Sequence, residues 1–349
     1  MINPDTLTRR ELLRLIGAAG LVVSCGGDRR VDAEKPDAGA GPHPATALDL
    51  SASVGFPTRG MALSAESIFI ADLLPPGVET DHSGMIVAIP RRGGPVRPLA
   101  TSQRNPYYLC LDGDVLYWAN LEGGTPETST VQRLSLTTGT IEQVARTNGR
   151  VLALSAGGGT LAYLVDEPRG DGSIAPVLFI GFGGKTPEAV GNAPLTSSGP
   201  LSSAGDAVYC AAIRDGDHLY QVFKYESGST EARPVLDAIS QIDVLDSQGI
   251  YVGSPLYEAR YFDGRVVSLE RNGIPQAIYK ERLGISGFKS ISNGITLFDL
   301  PNQKSQPLFA LEHAVIAMTF DDQGVAWLEE TIMAQHSGPP ALFYFPCAS

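Results

Sequence analysis

The sequence predicts an all-β protein whose main domain is a β-propeller of seven four-stranded blades, with six blades as the alternative. A hairpin pattern recurs along the chain with a period of roughly 40–50 residues, which is typical of propeller blades. No apolar pattern with a helical period follows the first segment. The 39 glycines and 25 prolines are spread through 349 residues, which suits many turns between short strands. Since 43% of the residues are hydrophobic and 18% charged, the chain can bury a core.

The first segment, residues 1–24, has the pattern of an export signal. Arg9 and Arg10 precede an apolar run, 15–23, that is too short to cross a bilayer as a helix, and Cys25 stands two residues after this run. The paired arginines resemble a bacterial twin-arginine signal, and the cysteine resembles the lipidated first residue of a mature lipoprotein. The resemblance implies acyl chains on Cys25 and a membrane-anchored protein of the cell envelope, at the outer membrane or on the periplasmic side.

A disordered tether is predicted over residues 25–46, starting at the lipidated Cys25. Glycine, proline, alanine and charged residues dominate this stretch, and it lacks apolar periodicity. The propeller is then expected over 47–349. The tether would let the folded domain stand clear of the lipid surface.

The repeating unit is a hairpin, and its best example is 106–120. There Asp112-Gly113-Asp114 separates two apolar runs, and Asp-Gly in that position favours a tight turn. The second strands of the hairpins, aligned on their last residues, are 67–72, 115–120, 161–166, 207–212, 249–254, 294–299 and 324–329. Seven hairpins predict seven blades. Six are expected if 284–312 is an insertion.

A second hairpin follows several of these units and would complete a four-stranded blade. Such hairpins are predicted at 86–99, 131–145, 177–190 and 266–279. The last unit is short, because only 341–345 remains as a third strand. We therefore expect 47–53 to supply its outermost strand and to close the ring, which would leave only short sheet edges exposed.

One strand carries a family resemblance. The run 116–120, Leu-Tyr-Trp-Ala-Asn, followed by Val-Gln-Arg-Leu at 131–134, resembles the Tyr-Trp-Thr-Asp class of propeller repeats and the related TolB-like propellers. Ala119 and Asn120 stand where the class has Thr and Asp. The resemblance implies an envelope propeller that mediates contacts. The resulting expectation is a binding or scaffolding module for an envelope protein or a small ligand.

Carboxylate and amide side chains end most of the aligned second strands, and in a propeller these positions share one face. They are Asp72, Asn120, Asp166, Asp299 and Glu329. Oxygen ligands of this kind predict a face that could hold Ca²⁺ or another divalent cation, or a basic ligand. The competing interpretation is that Asp and Asn end strands and start turns by bonding to their own backbone. Lactonase-type propellers hold a central metal with such residues, so the alternative function is a metal-dependent hydrolase.

Charge and motifs exclude several other classes of function. A net charge of −12 repels phosphate backbones, so we expect no nucleic acid as a partner. The histidines lack zinc-ligand spacing, and no Gly-x-Ser-x-Gly elbow occurs. We expect Cys110 and Cys210 to be buried free thiols. Together with Cys347 they make three cysteines besides the lipidated Cys25, and an odd number argues against a disulfide framework. Trp118 and Trp327 share one column and are expected to pack inside blades.

Overall fold

The computed structural model describes residues 46–48, 60–71, 84–124, 127–190, 195–214, 219–229, 231–252, 256–269, 273–287, 294–310, 315–329, 332–333, 336–337 and 341–346. Seven four-stranded antiparallel sheets and one two-stranded ribbon hold all the strands in these ranges. The described residues include no α-helix, and so none that could cross a bilayer. The predicted signal, the lipidated Cys25 and nearly all of the predicted tether lie outside them.

Six of the blades are antiparallel meanders in chain order. Blade 1 contains β2 (Met61–Leu63), β3 (Ser67–Ala71), β4 (Gly84–Pro90) and β5 (Arg97–Gln103). Blade 2 contains β6 (Pro106–Asp112), β7 (Val115–Gly123), β8 (Thr128–Ser135) and β9 (Ile141–Thr147). Blade 3 contains β10 (Arg150–Gly157), β11 (Thr160–Pro168), β12 (Ile174–Gly181) and β13 (Glu188–Ala189). Blade 4 contains β14 (Leu195–Ala204), β15 (Ala207–Arg214), β16 (Tyr220–Glu226) and β17 (Arg233–Ile239). Blade 5 contains β18 (Val244–Leu245), β19 (Gly249–Val252), β20 (Glu258–Tyr261) and β21 (Val266–Ser268). Blade 6 contains β22 (Ile274–Tyr279), β23 (Arg282–Ser286), β24 (Gly294–Asp299) and β25 (Lys304–Ala310).

The seventh blade combines both ends of the propeller. Its strands are, from first to last, β26 (Val315–Phe320), β27 (Gly324–Glu329), β30 (Ala341–Pro346) and β1 (Thr46–Leu48), and a ribbon of β28 (Ile332–Met333) and β29 (His336–Ser337) lies between β27 and β30 in the chain. Thr46 pairs with Tyr344, and Leu48 pairs with Leu342. An N-terminal strand therefore completes the last blade as predicted, although it begins at 46 and the described part ends at 48.

The first strands of the blades form the inner wall of a closed ring. Each neighbours the first strand of the next blade, and β26 neighbours β2. The prediction of seven blades is confirmed. We call the end of the ring where first strands begin and second strands end the upper face. The lower face is the opposite end, which carries the turns between first and second strands.

Two predicted assignments in blades 5 and 6 are wrong. Gly294–Asp299 is the third strand of blade 6, because it pairs with β23 on one side and β25 on the other. Val266–Ser268 and Ile274–Tyr279 do not form a hairpin, since they belong to different blades. The alternative of six blades, with 284–312 as an insertion, is excluded because this span contains β24 and β25 of blade 6. A short polar link between two blades has the same local sequence pattern as a hairpin turn. Only the hydrogen-bonded pairing of the flanking strands distinguishes a link from a turn.

Hydrophobic side chains fill the junctions between neighbouring blades. Second strands are covered on both sides, and all six residues of β27 are buried, as expected for strands sandwiched between sheets. The described residues form seven buried clusters, one at each junction between neighbouring blades. One residue from each of the two blades represents each cluster, in order from the junction of blades 1 and 2 to that of blades 7 and 1: Phe69 and Trp118, Ala119 and Tyr163, Leu164 and Val208, Val222 and Ile250, Tyr251 and Leu283, Leu297 and Val325, and Leu328 and Ile70. Trp118 and Trp327 are fully buried, so their predicted packing role is confirmed.

Bulges bend the inner strands near the upper face. The pairing with the second strand shifts after Tyr107, Val151, Ser198, Pro275 and Val315. A bulge adds a residue to one strand and increases its twist. Tyr108 occupies the bulge of blade 2 with a φ of 50°. The inner wall therefore changes direction beside the upper face in five of the seven blades.

Candidate functional site on the upper face

The structure describes four of the five residues predicted to form a cation-binding face, and it places them at two different faces. Asn120, Asp166 and Glu329 lie in second strands at the upper face. Asp299 ends a third strand and pairs with Arg282 at the start of β23, so it lies at the lower face. Its predicted place beside Asn120, Asp166 and Glu329 is wrong, because a third strand runs in the direction opposite to a second strand. Asp72 lies outside the described residues.

Asn120 and Glu329 both accept a hydrogen bond from a buried tryptophan two residues earlier. Nε1 of Trp118 donates to Oδ1 of Asn120 at 3.1 Å, and Nε1 of Trp327 donates to Oε1 of Glu329 at 2.7 Å. Residues two apart in a strand point to the same side, which brings each pair together. A buried indole N–H requires an acceptor. These two side chains therefore stabilise the interior of blades 2 and 7.

Asp166 is half-buried and lies opposite Arg150 in the pairing of β10 with β11. Burial raises the pKa of the Asp166 carboxyl above its ordinary value, while the positive charge of Arg150 opposes that rise. Asp166 is thus a partly desolvated carboxylate, and its charged neighbour is Arg150 of the same blade.

Asp299 behaves as the turn interpretation predicts. Its Oδ1 accepts a hydrogen bond from the backbone N–H of Asn302 at 3.0 Å, and its Oδ2 accepts one from Nδ2 of the same residue at 2.8 Å. These bonds lower the pKa of the Asp299 carboxyl. The side chain closes the turn after its own strand.

No cation site is assembled from the predicted residues in the part of the chain that the structure describes. No cluster of three or more His, Cys, Asp or Glu side chains within metal-binding reach occurs among those residues. Of the four predicted residues that can be described, two bond to tryptophans, one faces an arginine and one caps a turn at the other face.

The described upper face instead carries a depression of about 590 Å³ at blade 2, which the sequence reasoning missed. It is lined by Arg104, Asn105, Leu121, Glu122, Gly123, Gly124, Thr128 and Arg146. Nη1 of Arg104 donates to the backbone oxygen of Glu122 at 2.7 Å and lies 3.7 Å from its carboxylate. Thr130 donates to Oε1 of Glu122 at 2.9 Å, and Arg146 pairs with Thr130 in the sheet. The two arginines come from opposite edges of the blade, so no local motif signalled them.

The backbone on both sides of this depression adopts left-handed conformations. Asn105, in the link that enters blade 2, has a φ of 37°, and Ser102, near the end of β5, has a φ of 56°. Gly123 and Gly124, on the opposite side, have φ values of 74° and 101°. Non-glycine residues in this region are strained by about 1–3 kcal/mol each, and such residues cluster at functional sites.

Exposed aliphatic side chains lie on the same face, at the upper ends of the third strands of three consecutive blades. Ile174 begins the third strand of blade 3 and is 66% exposed. Leu219 and Leu256 lie just before the third strands of blades 4 and 5 and are 41% and 38% exposed. Ile274, which begins the first strand of blade 6, is 37% exposed. We call these four residues the aliphatic arc.

The lower face has a cavity of about 720 Å³ at the junction of blades 7 and 1. Arg91, only 4% exposed, lines it. Its Nη1 donates to Oδ1 of Asp321 at 2.8 Å and to the hydroxyl of Tyr344 at 3.3 Å. This ion pair between a buried arginine and a half-buried aspartate joins the first blade to the last.

Comparison with known proteins identifies the fold. No protein-family model matches the sequence, and no curated protein matches it. Among solved structures, the acylaminoacyl peptidase of Pyrococcus horikoshii superposes with a TM-score of 0.62 at 12% identity, over 82% of this chain and 50% of the peptidase. The chain is a seven-bladed β-propeller.

Two further structures agree with this fold. The propeller domain of the trilobed protease from Pyrococcus furiosus, which has an open velcro topology, matches with a TM-score of 0.60 at 13% identity, over 82% of this chain and 93% of that domain. A prolyl endopeptidase matches with a TM-score of 0.56 at 14% identity, over 78% of this chain and 45% of the enzyme. The chain thus spans about half the length of the peptidases and nearly all of the isolated propeller domain. These identities show a shared fold alone.

Proposed function

We propose that this protein is a membrane-anchored lipoprotein of the cell envelope whose propeller binds a partner protein through its upper face. The observation that carries the proposal is the aliphatic arc. Scattered exposed aliphatic residues are normal, but grouped apolar surface on a folded protein favours an interaction site. Ile174, Leu219 and Leu256 lie at the upper ends of the third strands of three consecutive blades, so a partner can contact them from one side of the ring.

The entry of the chain into the ring supports this arrangement. Thr46 begins β1 opposite Tyr344, near the lower end of the third strand of blade 7. The predicted tether would therefore join the propeller at its lower face. A flexible tether of this length has a root-mean-square span of about 25 Å. Attachment there leaves the upper face accessible to a partner.

Lipidation of Cys25 supplies the anchor in this proposal, and one substitution tests it. The wild-type protein should partition into the detergent phase and carry the mass of its acyl chains, since stable anchoring requires more than one chain. Cys25→Ala should remain in the aqueous phase. Cys347→Ala is the matched control and should partition like the wild type. An acylated, membrane-bound Cys25→Ala protein would contradict the anchor.

The aliphatic arc is tested by comparing two double variants in the full-length protein. Ile174→Ser with Leu219→Ser should abolish recovery of the proteins that cross-link to the wild-type propeller in intact envelopes. Ile141→Ser with Val266→Ser is the matched control, because these side chains are 41% and 60% exposed at the lower ends of outer strands. Equal recovery with both variants would contradict a binding role for the arc.

A further inference from the structure

We propose that the depression at the upper end of blade 2 binds a carboxylate of the partner, which makes the partner segment an acidic peptide. The inference rests on the proposed function for one point, that the ligand is a polypeptide. The arginines that carry it do not depend on the membrane anchor.

The depression places two guanidinium groups around one open volume. Arg104 is half-buried and is positioned by its bond to the backbone oxygen of Glu122. The Arg146 side chain is exposed, and among the residues that the structure describes no hydrogen bond or ion pair engages its guanidinium. The planar fork of an arginine matches the two oxygens of a carboxylate, and such charge-assisted bonds are stronger than neutral ones. One arginine is therefore held in place while the other can close on a ligand.

Two arginines and one carboxylate line the depression. Glu122 is that carboxylate, and its Oε1 already accepts the hydroxyl of Thr130 at 2.9 Å. Outside the lining, Glu127 is exposed beside Thr128, and Arg150 at the start of the next blade lies opposite Asp166. The excess of positive charge therefore belongs to the lining itself, where Arg146 can attract an anion although the whole chain has a net charge of −12.

The strained backbone supports a binding role for the same place. Asn105 lies in the wall of the depression with a φ of 37°, directly after Arg104. A left-handed non-glycine residue persists only where its surroundings hold it. Here the Arg104 contact to Glu122 ties the two walls together, so the opening keeps its shape before a ligand arrives.

Fluorescence anisotropy with synthetic probes tests the inference on the full-length Cys25→Ala protein. The probe is a fluorescein-labelled hexapeptide of alternating leucine and glutamate, and the comparison peptides carry glutamine or lysine in place of glutamate. We expect the glutamate peptide to bind and the others to bind weakly. Arg146→Gln should weaken the binding of the glutamate peptide about ten-fold, as for the loss of one charge-assisted contact.

The matched control is Arg133→Gln, which removes the same charge from the same blade. Arg133 pairs with Glu142 on the outer strands, at 2.8 Å from its Nε to Oε2, and is exposed. This variant should bind the peptide like the parent protein. Arg104→Lys, with folding checked by circular dichroism, should also weaken binding, because it retains the charge and loses the fork.

Two results would overturn the inference. One is equal binding of the glutamate and glutamine peptides, and the other is parent-like affinity in Arg146→Gln. Failure of the proposed function would give a different result. The double variant Ile174→Ser with Leu219→Ser would then cross-link to the same proteins as the wild type, while binding of the glutamate peptide would still require Arg146. The two proposals can thus fail separately.

Discussion

Asp246 and Asp321 hold the same turn in blades 5 and 7, yet the pKa values of their carboxyls move in opposite directions. Each lies between the first and second strands, and Oδ1 accepts the backbone N–H groups two and three residues later, at 2.7 and 3.0 Å for Asp246 and at 2.8 and 3.1 Å for Asp321. Burial raises the pKa of Asp246 despite these bonds. Burial also opposes ionisation of Asp321, but the hydrogen bond and charge of Arg91 outweigh it and lower that pKa. The difference comes from blade 1, which supplies the arginine.

Asp321→Asn should therefore destabilise the propeller in a pH-dependent way. A carboxyl whose pKa is lowered by folding stabilises the native state above its ordinary pKa of 3.8, and this contribution is lost as the pH falls through the lower folded value. We expect a loss of about 2–3 kcal/mol at pH 7, because the variant leaves the buried Arg91 without its counter-charge. Urea unfolding at pH 7 and at pH 3 should show the gap between variant and wild type shrinking at the lower pH.

Asp246→Asn is the matched control for that measurement and should show the reverse trend. Because folding raises the pKa of Asp246, ionisation above 3.8 reduces the stability of the wild type. The penalty of the variant relative to the wild type should therefore decrease as the pH rises. A common pH trend for the two variants would contradict the role assigned to Arg91.

The acceptors of the two buried tryptophans predict how their removal affects stability. Glu329→Ala removes a buried acceptor of Nε1 of Trp327 and should lower stability by about 1–3 kcal/mol. Asn120→Ala should have only a small effect, because Nε1 of Trp118 also donates to Oε1 of Gln103 at 3.1 Å. Thermal unfolding followed by circular dichroism measures both. Glu329→Gln, which keeps an acceptor, should unfold near the wild-type temperature, and a loss as large as that of Glu329→Ala would count against the hydrogen bond.

Gly158 lies at a close approach of blades 3 and 4, where no side chain fits. Its φ is 61°, and a Cβ there would lie 2.6 Å from the Cα of Gly205. Gly158→Ala should lower the free energy of unfolding by about 2–4 kcal/mol, from the left-handed backbone and the overpacking together. Gly113 has a φ of 59° with open space around it, so Gly113→Ala should lose only about 1 kcal/mol in urea unfolding. Equal losses would show that the blade contact is unimportant.

The two described cysteines should resist alkylation in the native protein. Burial raises the pKa of the Cys110 thiol to about 12, with a further rise from the charge of Asp112, and burial alone raises that of Cys210 to about 12. Both thiols are free in the structure. Because the thiolate is the reactive form, iodoacetamide at pH 8 should leave both unmodified until the protein is denatured. Cys210 is buried as predicted, whereas Cys110 is half-buried, which corrects the expectation of two buried thiols. Peptide mapping by mass spectrometry would reveal any native modification, which would contradict the burial of Cys210 and the raised pKa of Cys110.

The propeller itself could be predicted because its signals are local. Turn residues such as Asp112-Gly113 and alternating apolar strands depend on neighbours in the chain, and their repetition implies a ring. The closing strand at the N-terminus could be predicted from the missing fourth strand of the last blade. The position of Asp299 could not be predicted in this way. It ends a third strand, and a third strand has the same sequence pattern as a second strand of similar length.

Periodicity and turn chemistry were enough to predict the all-β propeller, with seven blades favoured over six, and the burial of Trp118 and Trp327. The choice of seven blades and the roles of the polar residues became clear only from the folded structure. Whether Asn120 bonds to an indole, whether Asp321 meets Arg91, and whether Arg104 and Arg146 share one depression all depend on contacts between strands or blades far apart in the chain. Such contacts are fixed by how sheets pack and pair, and no local pattern records them.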